Sequence, residues 1–260
     1  YKNNIKSVLE QLKQKENLDI CVGLVTFGNT ASDTVPLKTL EEFNLPGFIF
    51  ASSGTNIQAG VRAGREMLAS GRDDAEKYLI LLTDGGAFYW LDEDGASVTK
   101  PYKSGRFFDS TAQEDSHMYN NNLTGMYSIA SGSFAAFREQ YGTQVEAFNK
   151  SATVCTKGTK EDGMGDAYIY STSDWSNKEV YPFTNMEQGT YNASQEMVEA
   201  AADGVHLITV GAYDYYPDQA AVHTVSNLFL DWTGEVGDLY KVNTGDADDS
   251  MEKAFAGVQD

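Results

Sequence analysis

The stretch KYLILLTDGGA at residues 77–87 constrains this chain more than any other. Apolar or aromatic side chains fill positions 78–82, and the run then stops on Thr83-Asp84-Gly85-Gly86. A short apolar run of this kind predicts a strand covered on both faces, as in the middle of a parallel sheet. The polar stop leaves the Asp84 carboxylate just beyond the strand's C-terminal end, and the two glycines let the backbone turn sharply. In open α/β sheets that edge is where ligands bind.

The segments around this strand alternate in type. Ile5, Val8, Leu9 and Leu12 recur at helical spacing and predict a surface helix over 1–16. Residues 19–27, DICVGLVTF, read as a buried strand, and 35–37 as a short edge strand that tolerates Pro36. The turn Ser52-Ser53-Gly54-Thr55-Asn56 opens a helix over 57–69, with Asn56 or Thr55 as its cap and Gly71 as its stop. Further on, a helix over 194–202, a buried strand over 205–210, a helix over 218–229, an edge strand over 239–242 and a closing helix over 250–258 are expected. This alternation predicts an α/β fold, a sheet flanked by helices on both faces.

The stretch 88–187 does not alternate, and it divides the chain into a core of 1–87 and 188–260 and an inserted subdomain. A strand-to-strand crossover takes only about 10–12 residues including its helix, so the excess is an insertion on the ligand-binding edge, where loops usually carry function. It is polar and rich in Gly, Ser and Asn, yet it holds 17 of the chain's 31 aromatic residues. A helix over 133–150 is expected, and a strand pair over 166–170 and 179–183. Its aromatics form either a glycan- or protein-binding face or the insertion's own small core. Trp90, Tyr102, Tyr119 and Trp175 are the candidate ligand contacts.

Nineteen basic against thirty-eight acidic residues give a net charge of −19. Nucleic acid and anionic membranes should repel such a chain. No apolar run approaches the roughly 20 residues of a membrane span. The opening on a helix pattern without methionine is expected of a piece cut from a longer polypeptide. Cys21 sits in an apolar strand and reads as a buried small hydrophobe, Cys155 lies in a Lys/Thr/Gly-rich loop, and sequence does not decide whether they are bridged. No Cys/His spacing suggests zinc, and His117, His206 and His223 have no motif partners. No nucleophile lies in a context that supplies a base, and Gly163-Met164-Gly165 precedes a strand rather than a helix, so an enzyme is not expected. Asp33 and Asp214 also follow strands but read as solvated loop residues.

In order, DICVGLVTFGNTA, SSGTNIQAGVRAG, KYLILLTDGGA and SQEMVEAAADGVHLITVGAY resemble a von Willebrand factor type A domain over residues 1–87 and 188–260. The resemblance implies a Rossmann-like sheet carrying a metal-ion-dependent adhesion site for Mg²⁺, Mn²⁺ or Ca²⁺ at its top. Thr55 matches the threonine ligand of the family's second loop, and Asp84 the aspartate of its Thr-Asp-Gly turn. Hydroxyl and carboxylate oxygens suit such hard cations. The family's first loop, Asp-x-Ser-x-Ser, does not occur in this sequence, and the central strand that precedes it is missing with it. The expectation is that this strand comes from upstream or from another chain, and that these residues alone bind metal weakly or not at all.

The long aromatic insertion resembles those of tip adhesins of Gram-positive pili and related bacterial surface proteins. That implies an extracellular, wall-attached or pilus-tip module that binds a host or matrix protein or a glycan. Two other readings stay open: a structural or assembly component whose metal site is lost, and an intracellular chaperone-like type A domain. The aromatic insertion counts against the last.

Overall fold

The computed structural model describes residues 2–14, 19–47, 54–99, 133–149, 153–157, 168–170, 185–213 and 220–242. Three parallel strands form the main sheet: β3 (Tyr78–Thr83), β8 (His206–Ala212) and β9 (Asp238–Val242), in the order β3-β8-β9. Tyr78 stands opposite His206 and Thr83 opposite Gly211, and Ile208 to Ala212 of β8 meet Asp238 to Val242 of β9. A separate antiparallel pair joins β1 (Cys21–Phe27) to β2 (Ala31–Thr39). Pro36 falls in β2, whose paired edge in the described structure is the one facing β1.

Side-chain alternation along these strands feeds two cores, one on each face. On one face Tyr78, Ile80 and Leu82 of β3, Ile208 and Val210 of β8, and Ile20 and Val22 join Ile5, Leu9 and Leu12 of helix α1 (Lys2–Lys13). On the other, Leu79, Leu81, Leu207 and Phe27 meet helices α2 (Ile57–Ala69), α4 (Asn185–Ala202) and α5 (Ala220–Thr233) through Ile57, Val61, Met197, Phe229 and Leu230. The expected α/β plan with helices on both faces is therefore observed.

Helix α2 follows its sequence signals closely. Asn56 caps it, its Oδ1 accepting the Ala59 N–H at 2.9 Å. It ends at Ser70 in an ordinary right-handed conformation, so Gly71 does not supply a left-handed stop. Between β3 and α4 lie a small antiparallel sheet and a helix. The sheet runs β4 (Trp90–Leu91), β5 (Ser97–Thr99), β6 (Thr153–Lys157), β7 (Tyr168–Tyr170) in that order. Helix α3 (Phe134–Asn149) places Phe134, Phe137 and Val145 in a cluster with Tyr191 of α4 and Trp232 of α5. Its first free N–H, at Phe134, is held by the Glu235 carboxylate at 3.0 and 3.2 Å.

Four expectations change. The partner of the 168–170 strand is Thr153–Lys157, around Cys155, where sequence read a loop; the expected partner at 179–183 lies outside the described residues. Helix α4 starts at Asn185, well before 194, because its polar first half is buried between neighbouring elements. Cys21 is free and exposed rather than buried, since it stands at the first position of β1. Strand β3 is not closed on both faces: Leu81 is buried, but the rest of the strand is half-buried. The closing helix expected over 250–258 lies outside the described residues.

Candidate functional site

Three loops converge where β1 and β3 end. After β1, the Gly28 carbonyl accepts the Asn56 N–H at 2.5 Å. Before α2, the Thr55 carbonyl accepts two N–H groups from the loop after β3, Phe88 at 2.9 Å and Tyr89 at 3.1 Å. A short polar chain ties the same region together: Asn56 Nδ2 donates to Ser97 Oγ at 2.9 Å, and Ser97 Oγ donates to the Asn29 carbonyl. Gln58 Oε1 accepts the Leu91 N–H at 2.7 Å, which fixes β4 against the first turn of α2. Asn29, Asn56 and Gln58 are all buried.

The turn after β3 is shaped locally and then clamped. Thr83 Oγ1 accepts the Gly85 N–H at 3.0 Å, and Asp84 Oδ1 accepts the Gly86 N–H at 3.1 Å. Gly85 has φ +80, a conformation that costs other residues. A Cβ there would also lie 2.5 Å from the Ser226 carbonyl of α5. Gly54, in the turn before α2, has φ +83, and a Cβ there would meet the Tyr89 ring at 2.7 Å. The glycines of both loops are thus required by the close approach of one loop to the other and to α5.

Thr55 and Asp84, the two candidate cation ligands, are both half-buried on this edge and sit in loops that are hydrogen-bonded to each other. A hydroxyl and a carboxylate are the right donor types for a hard divalent cation. As a complete site they do not suffice. Among the described residues no group of three or more His, Cys, Asp or Glu side chains gathers to hold a metal. Two oxygen donors leave most of a coordination shell to other groups.

Of the aromatic candidates, Trp90 is fully buried and so does not lie on an exposed binding face. It stands opposite the buried Val98 of β5, and the neighbouring Leu91 N–H is bonded to Gln58 in the first turn of α2, so this strand lies against the fold rather than in an open loop. Tyr102, Tyr119, Trp175 and Asp214 lie outside the described residues, and Asp33 falls within β2 rather than in a loop.

Sequence reasoning missed the residues that hold the site in place. Asn29, Ser97 and Gln58 belong to no motif, and their partners are distant in the chain. The one available signal was Asn56, which motif reading treated only as a cap. Beyond this edge, Lys241 of β9 lies 4.3 Å over the Tyr213 ring and 3.3 Å from the Asp231 carboxylate, to which Tyr213 Oη also donates.

No protein-family model matches this sequence, and no curated protein matches it. Solved structures do. The PilB minor pilin from Streptococcus sanguinis is 16% identical, with a TM-score of 0.51 over 99% of this chain and 52% of that chain. The vWF domain of the type V pili tip protein Mfa5 from Porphyromonas gingivalis is 12% identical, with a TM-score of 0.48 over 99% of this chain and 85% of that one. The pilus adhesin SpaC from Lactobacillus rhamnosus GG is 16% identical, with a TM-score of 0.47 over 98% of this chain and 27% of that one. At these identities the likeness is one of fold, and PilB carries it; this chain spans about half of PilB's length.

Proposed function

We propose that this chain, with its von Willebrand factor type A-like fold, is a ligand-binding module of a pilus or another bacterial surface structure. In this reading Thr55 and Asp84 form one wall of a metal-ion-dependent adhesion site, and further ligands come from outside these residues. The observation that supports it is the pair of bonds from the Phe88 and Tyr89 N–H groups to the Thr55 carbonyl, which bring the loops of both candidate ligands to one edge. A divalent cation bound there would take an acidic group of an extracellular protein or glycan into its coordination shell. The stretch that follows Asp84 is placed to set which partner is accepted. The fold shared with a minor pilin agrees with a surface role.

Calorimetric titration of Mg²⁺ or Mn²⁺ into the full-length polypeptide tests this reading. Wild type should bind the cation, and Asp84→Ala should bind at least about tenfold more weakly, since it removes a charged ligand. No binding by wild type would overturn the adhesion-site reading. It would favour the second one, a structural pilus component whose metal site is lost, with which the absence of an acidic cluster among the described residues agrees.

A further inference from the structure

The small sheet is hydrogen-bonded to the turn that carries Thr55. Phe88 and Tyr89, on the way into the sheet, bond the Thr55 carbonyl itself. The next contacts come from a single rung of the β4–β5 hairpin, where Leu91 and Ser97 stand directly opposite each other. The Leu91 N–H donates to Gln58 Oε1 at 2.7 Å, and Ser97 Oγ accepts from Asn56 Nδ2 at 2.9 Å. Asn56 is the cap of α2 and Gln58 its second residue, so both ends of the rung grip the helix start beside Thr55. From β5 the connection continues outward. Val98 and Thr99 pair with Val154 and Thr153 of β6, and β6 pairs with β7.

Ser97 holds the central place in this contact. Its hydroxyl accepts from Asn56 and gives its one proton to the Asn29 carbonyl. One side chain of β5 therefore joins the turn before α2 to the turn after β1. Asn56 is fully buried, and its amide is held at both ends: Oδ1 accepts the Ala59 N–H, and Nδ2 donates to Ser97. Without the Ser97 hydroxyl, Asn56 Nδ2 would lose this acceptor inside the fold, a costly state that the turn can relieve only by moving. Asn29 offers the chain of bonds a second arrangement, because its Oδ1 is buried and meets no donor among the described residues. The Asn29 side chain also stands against the turn, since a Cβ at Gly54 would lie 2.9 Å from the Asn29 Cβ.

We propose that Ser97 is a positioning residue: it locks the Thr55 turn to the small sheet, so that a partner held on that sheet and a cation held at Thr55 and Asp84 strengthen each other's binding. This deepens the cation-site reading given above, and the linkage, though not the positioning, rests on that reading. Thr55 presents its hydroxyl to a cation in one place only while the backbone of 54–57 is fixed, and fixing it costs conformational entropy. Whichever of the two binds first orders turn and hairpin together, and the second then meets them already ordered. Linkage makes the two effects equal in size. Ser97 acts here through Asn56 and is not itself a ligand of the cation.

Hydrogen exchange and calorimetry on the full-length polypeptide test the proposal. In EDTA, Ser97→Ala should speed exchange of the Asn56 and Ala59 N–H groups, which bond Gly28 and Asn56, by at least about fivefold, with β8 amides unchanged. Saturating Mg²⁺ should slow the Leu91 and Asp92 N–H groups of the hairpin at least about fivefold in wild type but not in Ser97→Ala, whose Mg²⁺ affinity should be weaker by about the same factor. Glu196→Gln, a substitution in the buried ion pairs between α2 and α4, is the control and should bind Mg²⁺ as wild type does. Unchanged exchange of Asn56 and Ala59 in Ser97→Ala overturns the positioning role. Hairpin amides that ignore a bound cation, or an equal loss of affinity in Glu196→Gln, overturn the linkage alone. Absence of Mg²⁺ binding by wild type overturns the cation-site reading and the linkage with it, while the comparison in EDTA decides the positioning role in either case.

Discussion

The buried carboxylate of Glu196 meets two guanidinium groups. Arg62 reaches Oε2 at 2.7 and 3.0 Å, and Arg65 reaches Oε1 at 2.8 Å. Arg65 also bonds Glu199 and Asp203, and although burial works against its charge, these carboxylates outweigh that and raise its pKa. Glu196→Gln should lower stability by about 2 kcal/mol in urea unfolding, because a buried charge-assisted pairing is lost while the arginines still reach water. Arg62→Ala should cost under about 1 kcal/mol, since that side chain is 35% exposed. A second effect concerns pH. Burial first, and the neighbouring Glu146 second, push the Tyr191 phenol up to about 12. The unfolded chain then gives up this proton near pH 10 while the folded chain keeps it, so stability contributed by Tyr191 is present below about pH 10 and lost from there to about 12. Tyr191→Phe should flatten that part of the stability curve relative to wild type; an unchanged slope would contradict the assignment. At this scale Asn56 and Asp84 were legible in the sequence, because caps and strand-end turns are local. Glu196 was not, because its arginines lie 131 and 134 residues away.

Among the elements, α4 was the least legible. Its first half, NMEQGTYNA, lacks an apolar stripe, and periodicity placed the helix nine residues late. The structure buries Glu187, Gln188, Thr190 and Asn192 there. Some of these groups find partners within the fold: Gln188 Nε2 donates to the Val145 carbonyl of α3 at 2.9 Å, and Asn192 Nδ2 donates to the Gln188 carbonyl. A helix surrounded by other elements need not be amphipathic, so its sequence carries no moment to detect. Gly189 marks a close approach, because a Cβ there would lie 2.5 Å from the Ala87 carbonyl. Gly→Ala inside a helix normally gains up to about 1 kcal/mol. Here the backbone clash should reverse the sign and cost about 1–3 kcal/mol, read as a lowered Tm. The same shift should disturb the 84–89 loop, so in the full-length polypeptide Gly189→Ala should weaken cation binding without touching a ligand. A Tm equal to or above wild type would show that the loop yields easily.

For the molecule as a whole, alternation announced the α/β plan, but it could not announce how the strands divide. Apolar runs such as 78–82 and 205–210 look alike in sequence, because composition records what a strand is made of and not which neighbours cover it. The fold separates them: β8 lies between β3 and β9 and is buried from Leu207 onward, whereas β3 pairs only with β8 among the described residues and is mostly half-buried. A two-stranded ribbon is marginal on its own, so β1 and β2 depend on α1 and α2 to hold them to the rest. Exchange measured in rising urea should therefore resolve two units in this chain. Amides of β8 should open only with global unfolding, with the full urea slope. Amides shared between β1 and β2 should open at lower free energy and with a shallower slope, since less surface is exposed. If both sets instead converge on one line, the ribbon and the parallel sheet form a single cooperative unit, and α1 and α2 join them more tightly than the half-buried strands imply.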